Sequence, residues 1–294
     1  MSHDDGRPPA LGGSDLPGLV GVLGGGRMGV GIAHAFACGG STVVLVDADE
    51  TAVQAALANV ADAVRASAVR GMLSGSVDQV LERVIGRVGV THLAASVLVV
   101  EAVPEEVALK ASLLGELEAA VHRSTVIATN TSSLSIDELS LVLDHPERFL
   151  GLHFFNPVPA SQLVEIVVGS STGAELVERA RGWVAALGKT AVVVRDSPGF
   201  ASSRLGVVLG LEAIRMLEEG VASAEDIDAA MTMGYKHPVG PLRLTDLVGL
   251  DVRLGIAEYL TSKLGDRFEP PSLLREKVAK GEIGKKAGRG FYDW

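Results

Sequence analysis

The chain has 294 residues, 47% of them hydrophobic and 21% charged, which is the mixture of a folded globular protein and excludes a disordered one. Its 26 basic against 36 acidic residues leave a net charge of −10, so nucleic acid is not expected as a partner, and an anionic ligand must be held by local features. No apolar run reaches the ~18–20 residues that span a membrane, no apolar leader is read at the N-terminus, and one cysteine, Cys38, excludes an internal disulfide; a cytoplasmic protein without a membrane partner is expected.

Residues 1–17 read as a mobile polar tail. Leu19-Val-Gly-Val-Leu23 has the short, continuous apolar character of a buried strand. Gly24-Gly-Gly-Arg-Met-Gly29 follows at once, then a helix of small residues from Val30 to Cys38, ended by Gly39-Gly40. Cys38 is read there as a buried core residue, not a reactive thiol. Thr42 to Val46 predicts a second buried strand closed by Asp47, and the composition between Thr51 and Val88 predicts two helices with a turn near Gly71–Ser76. Further strands are predicted over 96–100, closed by Glu101, over 125–129, closed by Asn130, and over 148–152, closed by His153, with a helix over 105–121. Continuous apolar strands alternating with helices indicate a doubly wound, parallel α/β sheet over residues 18–196. After Ser197-Pro-Gly199 the pattern turns to helices alone, over 203–219, 224–233, 250–264 and 273–279, with Ser223 as an N-cap. An all-α domain over 197–294 is therefore expected.

In such a sheet, ligands bind beyond the carboxyl ends of the strands, and the predicted strands end on a glycine loop, Asp47, Glu101, Asn130 and His153. Gly24-x-Gly26-x-x-Gly29 fits the dinucleotide fingerprint of a Rossmann-type domain. The first glycine makes the turn, the second admits the pyrophosphate, and the third lets helix meet strand. The motif follows a strand, opens a helix, and has Asp47 at the end of the next strand, which is the context that gives it meaning. Asp47 is expected to accept from the adenosine ribose hydroxyls and to repel a 2′-phosphate, favouring NAD over NADP.

A second constellation is His153-Phe-Phe-Asn-Pro-Val-Pro-Ala-Ser-Gln-Leu-Val-Glu165. If the strand-like run 163–168 folds back about Pro159, positions 153 and 165 become directly opposed, with Cβ atoms about 4.5–5.5 Å apart. Glu165 would then fix the His153 tautomer and stabilise the imidazolium formed when the ring takes a proton. No metal-ligating cluster is read.

These blocks resemble the L-3-hydroxyacyl-CoA dehydrogenase family, especially its bacterial 3-hydroxybutyryl-CoA dehydrogenases, from Val20 to Trp294. The likeness is carried by the glycine loop, Glu101-Ala-Val-Pro-Glu105, Asn130-Thr-Ser-Ser-Leu134, Gly151-Leu-His-Phe-Phe-Asn-Pro-Val-Pro159, Asp196-Ser-Pro-Gly-Phe200, His237-Pro-Val-Gly-Pro241 and Gly284-Lys-Lys-Ala-Gly-Arg-Gly-Phe-Tyr292. It implies His153 as general acid/base, Glu165 as its partner, and Ser132 as a contact to the substrate oxygen near the nicotinamide. It also implies cofactor contacts from Gly24, Gly26, Met28, Gly29, Asp47, Glu105, Lys110, Asn130, Ser132, Asn156 and Lys286. An acyl-CoA thioester bound between two domains and a homodimer through the helical domain are further implications. One position departs from the family pattern: Ser203 stands where an active-site asparagine usually lies, and it is expected to contact substrate with a shorter reach. The same scaffold also serves sugar-acid dehydrogenases of the lambda-crystallin type and 3-hydroxyadipyl-CoA dehydrogenases. A non-catalytic dinucleotide-binding protein would not need the His153–Glu165 pair. Arg65 and Arg70 read as a solvated helix face, and Lys285, Lys286 and Arg289 as a basic cluster too short for membrane or nucleic acid.

Overall fold

The computed structural model describes residues 16–294, which divide into two compact units between Asp196 and Ser197. Residues 1–15 of the expected tail lie outside the described residues. Its last two belong to the folded body, because Leu16 packs against the core and Pro17 is buried. An apolar residue beside the first strand gains more from burial than it loses in freedom.

The first unit is one eight-stranded sheet with flanking helices. Its elements are β1 (Leu19–Leu23), α1 (Arg27–Cys38), β2 (Thr42–Asp47), α2 (Glu50–Val69), α3 (Val77–Leu81), β3 (Val84–Val88), β4 (Leu98–Glu101), α4 (Val107–Ala120), β5 (Val126–Thr129), α5 (Ile136–Ser140), β6 (Phe149–Phe154), β7 (Leu163–Val168), α6 (Ala174–Ala186) and β8 (Thr190–Arg195). The strand order is β3-β2-β1-β4-β5-β6-β7-β8. Strands β1 to β6 are parallel, β7 is antiparallel to β6, and β8 runs parallel to β7. Val20, Val22, Leu98, Val100, Ala128 and Leu150 are wholly buried, as continuous apolar strands covered on both faces require.

The two helices and the turn near Gly71–Ser76 form as expected, but the second is short and the segment up to Val88 adds a strand that was not expected. After α2 and the short α3, which opens with a capping box at Ser76 and Gln79, the chain forms β3 beside β2. Val84, Ile85 and Val88 carry the β-branched signal. Gly86 and Arg87 interrupt it, and as an edge strand β3 is only half-buried. Strand β6 also runs further than predicted, so His153 lies within it and does not close it. Helix α6 and strand β8 add to the predicted elements and extend the sheet past β7.

The second unit contains α7 (Ser202–Glu218), α8 (Ala224–Ala229), α9 (Pro241–Val248), α10 (Leu250–Leu264) and α11 (Ser272–Ala279) around Val207, Leu211, Ile214, Leu242, Leu250, Ala257 and Leu260. The Ser223 hydroxyl accepts from Asp226 N–H and caps α8. That helix ends earlier than expected, passing into a π-helical turn over Ala230–Gly234. Helix α9 is an element the sequence pattern hides, because it is short and opens with Pro241 at its first turn, where the missing N–H costs nothing.

Candidate active site

At the end of β1, Gly24 has φ +103°, a conformation that disfavours a side chain, and a Cβ there would also meet the Ala102 carbonyl at 2.8 Å. A Cβ on Gly29 would fall 1.8 Å from the Gly24 carbonyl oxygen, so helix α1 can leave the loop only from a glycine. Gly26 differs, since a Cβ there would meet nothing within 4 Å. The N-terminus of α1, formed by Gly26, Arg27 and Met28, has no side-chain cap, so its first N–H groups remain available to an anion. This cradle, open above Gly26 and floored by helix N–H groups, fits a dinucleotide pyrophosphate. Asp47 borders it: one carboxylate oxygen accepts from Gly25 N–H and the other from Ala48 N–H, each at 2.7 Å.

The ends of β4 and β5 carry a second cluster. Glu101, fully buried, accepts from Lys110 Nζ and Val103 N–H at 2.7 Å and from the Thr129 hydroxyl at 2.6 Å. Lys110, in the first turn of α4, also lies 3.4 Å from Glu105. Glu105 accepts from the Thr131 hydroxyl at 2.6 Å and from Ser132 N–H at 2.8 Å. Burial works against the Glu105 carboxylate, but the Lys110 charge and these donors outweigh it and hold its pKa below the usual carboxylate range. Asn130, at the end of β5, accepts from Phe154 N–H at 2.8 Å and so ties β5 to β6.

The antiparallel β6–β7 pair places His153 directly opposite Glu165. His153 Nδ1 lies 2.8 Å from Glu165 Oε2, with the two residues 6% and 1% exposed. The Phe155 ring packs 4.3 Å from the imidazole, centroid to centroid. Asn156 is exposed on the connecting turn. That turn is pinned by Lys189, the residue before β8, whose Nζ donates to the Val158 and Ser161 carbonyls, while Val158 sits against Gly31 of α1. The loop, Asp47, the Glu101–Lys110–Glu105 cluster, Ser132, Asn130 and His153 thus all stand at or just beyond the carboxyl ends of β1, β2, β4, β5 and β6.

Residues 19–197 match the family model for the 3-hydroxyacyl-CoA dehydrogenase NAD binding domain, and residues 199–294 match that for the 3-hydroxyacyl-CoA dehydrogenase C-terminal domain. The chain belongs to the 3-hydroxyacyl-CoA dehydrogenase family. Its first unit is accordingly the NAD-binding domain of an oxidoreductase. It is 39% identical to the 3-hydroxybutyryl-CoA dehydrogenase of Bradyrhizobium diazoefficiens over 277 residues, covering 94% of each chain. It is also 39% identical to the 3-hydroxyadipyl-CoA dehydrogenase of Escherichia coli, covering 94% of this chain and 58% of that one. Among solved structures, the (S)-3-hydroxybutyryl-CoA dehydrogenase of Ralstonia eutropha superposes with a TM-score of 0.90 at 39% identity, over 95% of this chain and 99% of that one.

In the second unit of this dehydrogenase, Ser203 lies half-buried in the first turn of α7. Lys286 is exposed, with its Nζ 2.7 Å from Asp251 Oδ2. The C-terminal segment is clamped by the buried Asp246, which accepts from Phe291 N–H, Tyr292 N–H and Trp294 Nε1 at 2.8–2.9 Å. Arg65 is paired with Asp62 on the solvated face of α2. Cys38 is buried, with its thiol pushed up to about 11 by burial. Sequence reasoning missed Thr129, Thr131 and Lys189. The two threonines flank Asn130 and could be found from that strand end, but Lys189 has no local signal because its partners lie about thirty residues away.

Proposed function

We propose that the protein catalyses the NAD-dependent oxidation of an (S)-3-hydroxyacyl-CoA, with 3-hydroxybutyryl-CoA the expected substrate, to the 3-oxoacyl-CoA. The observation that carries this reading is the buried His153–Glu165 pair at the end of β6, in the same sheet as the glycine cradle. With His153 Nδ1 committed to Glu165, Nε2 is the nitrogen that removes the proton of the 3-hydroxyl. Glu165 holds the ring in that tautomer and stabilises the imidazolium as it forms. Bound NAD supplies the hydride acceptor. The protein's part is placement: Gly24, Gly26, Met28 and Gly29 hold the pyrophosphate, Asp47 the adenosine ribose, and Glu105, Lys110, Asn130 and Asn156 the nicotinamide half. Ser132, oriented by the hydrogen bond its backbone N–H donates to Glu105, donates to the substrate oxygen, while Ser203 and Lys286 serve substrate and cofactor from the helical domain.

A homodimer through that domain is part of the proposal. Leu205 is 68% exposed, and Val208, Leu247 and Val252 on α7, α9 and α10 are also exposed, apolar side chains that a second copy would cover. Turnover of an acyl-CoA with NAD suits fatty acid degradation in the cytoplasm. The test is NADH formation with 3-hydroxybutyryl-CoA, 3-hydroxyadipyl-CoA and a free sugar acid, with NAD and then NADP. Turnover of 3-hydroxybutyryl-CoA with NAD is expected. Turnover of the free acid alone would move the protein to the lambda-crystallin type, and turnover of no substrate despite NAD binding would leave a binding protein.

A further inference from the structure

The cluster at the ends of β4 and β5 does not balance in charge. Two carboxylates, Glu101 and Glu105, share one ammonium, that of Lys110. Burying a lysine requires one close partner, and Glu101 at 2.7 Å, itself wholly buried, already meets that need. Glu105 stands further off, at 3.4 Å, with 37% of its side chain exposed. Lys110, Thr131 and Ser132 together hold it ionised. The surplus negative charge therefore resides on Glu105, on the accessible side of the cluster.

A dinucleotide bound to a sheet of this kind crosses the point where strand order reverses. Here β1 and β2 lie on one side of that point and β4 and β5 on the other. Asp47 and the glycine cradle mark the adenosine side, so the nicotinamide half comes to the side that carries Glu105. The pyridinium of NAD is a cation, whereas the dihydropyridine of NADH is neutral. We propose that Glu105, backed by the Glu101–Lys110 pair, sets the redox preference of cofactor binding by holding oxidised NAD more tightly than a neutral side chain would, with little effect on NADH. The two cofactor forms present nearly the same hydrogen-bonding groups, so a fixed charge is the feature that can separate them. Its sign favours loading NAD and releasing NADH, and it lowers the potential of the bound couple. The inference rests on the reading that the nicotinamide lies beyond β4 and β5.

The test is titration of the purified protein with NAD, NADH and ADP-ribose, comparing wild type with Glu105→Gln and Glu105→Asp. In Glu105→Gln, the Kd for NAD should rise about five- to tenfold, while NADH and ADP-ribose stay within about twofold. A tenfold change in the ratio of the two constants corresponds to ~30 mV in the potential of the bound couple. Glu105→Asp keeps the charge and should return the NAD-to-NADH ratio to near the wild-type value. Equal weakening of NAD and NADH would make Glu105 an ordinary contact and overturn the proposal, as would no change in either. If Glu105→Gln also lost ADP-ribose, Glu105→Asp decides: a wild-type ratio supports the charge, and a shifted ratio overturns it. A wild-type chain that bound neither form of the cofactor would overturn this inference and the NAD assignment together.

Discussion

Glu165→Gln keeps the shape of the group facing His153 and removes its charge. The two side chains are 2.8 Å apart and almost wholly covered, so solvent and salt do little to weaken their interaction. In the proposed reaction His153 takes the substrate proton, and the carboxylate then faces an imidazolium, to which an amide can offer only a dipole. A hydrogen bond to a charged group is worth about 1.5–3 kcal/mol and a neutral one about 0.5–1.5. The difference of ~1–2 kcal/mol is a factor of roughly 5–30 in rate. The amide can also turn its NH2 toward Nδ1 and favour the wrong tautomer, which brings the expected fall in kcat to about 10–100-fold. The assay is steady-state NADH formation from 3-hydroxybutyryl-CoA, alongside the Kd for NADH and the melting temperature. NADH affinity should hold within about twofold, because Glu165 lies on β7, away from the glycine cradle. A kcat within twofold of wild type would refute the assigned role. So would a fall in kcat matched by equal losses of cofactor affinity and stability, which would make Glu165 a fold residue.

Three further outcomes are expected. Asp47→Ser removes the carboxylate beside the Gly25 amide and should weaken NAD about tenfold while raising relative use of NADP; unchanged cofactor preference in competitive assays would remove Asp47 from the ribose site. Gly29→Ala forces a methyl to within 1.8 Å of the Gly24 oxygen and should cost at least about 2 kcal/mol of stability and most NAD affinity, read by thermal melts with and without NAD; a wild-type melt with full NAD stabilisation would contradict the cradle. His34 is pushed down to about 4 by burial and, secondarily, by Lys189. The unfolded chain therefore takes up that proton near pH 6.5, before the folded one does. The stability tied to neutral His34 is whole above pH 6.5 and is lost progressively as pH falls to 4, about 3 kcal/mol in all. Urea midpoints of His34→Gln should vary less than wild type between pH 7 and 4, and an equal slope would place the acid sensitivity elsewhere.

Much of the candidate site's geometry was legible because its determinants are local. The glycine loop, Asp47 and the 153–165 hairpin are each set by short-range spacing. The antiparallel register of His153 on Glu165 emerged from their equal distance to the turn centre. Strand β3 was obscured because an exposed edge tolerates Gly86 and Arg87 where a central strand would be uniformly apolar. Helix α9 was missed because eight residues opening on Pro241 leave little helical period to read. The Lys189 pin joins residues 28 and 31 positions apart, a contact that only the folded sheet brings together. Glu101 and Lys110 were visible as a strand-end acid and a helix lysine, but their full burial as a pair depends on packing of α4 against the sheet.

The most direct measurement is single-turnover NADH formation by His153→Ala beside its equilibrium affinity for NADH. Turnover should fall by about 10²–10⁴, with affinity within about twofold of wild type. Near-normal turnover with intact NADH binding would show that another group takes the hydroxyl proton and would contradict the account at its base.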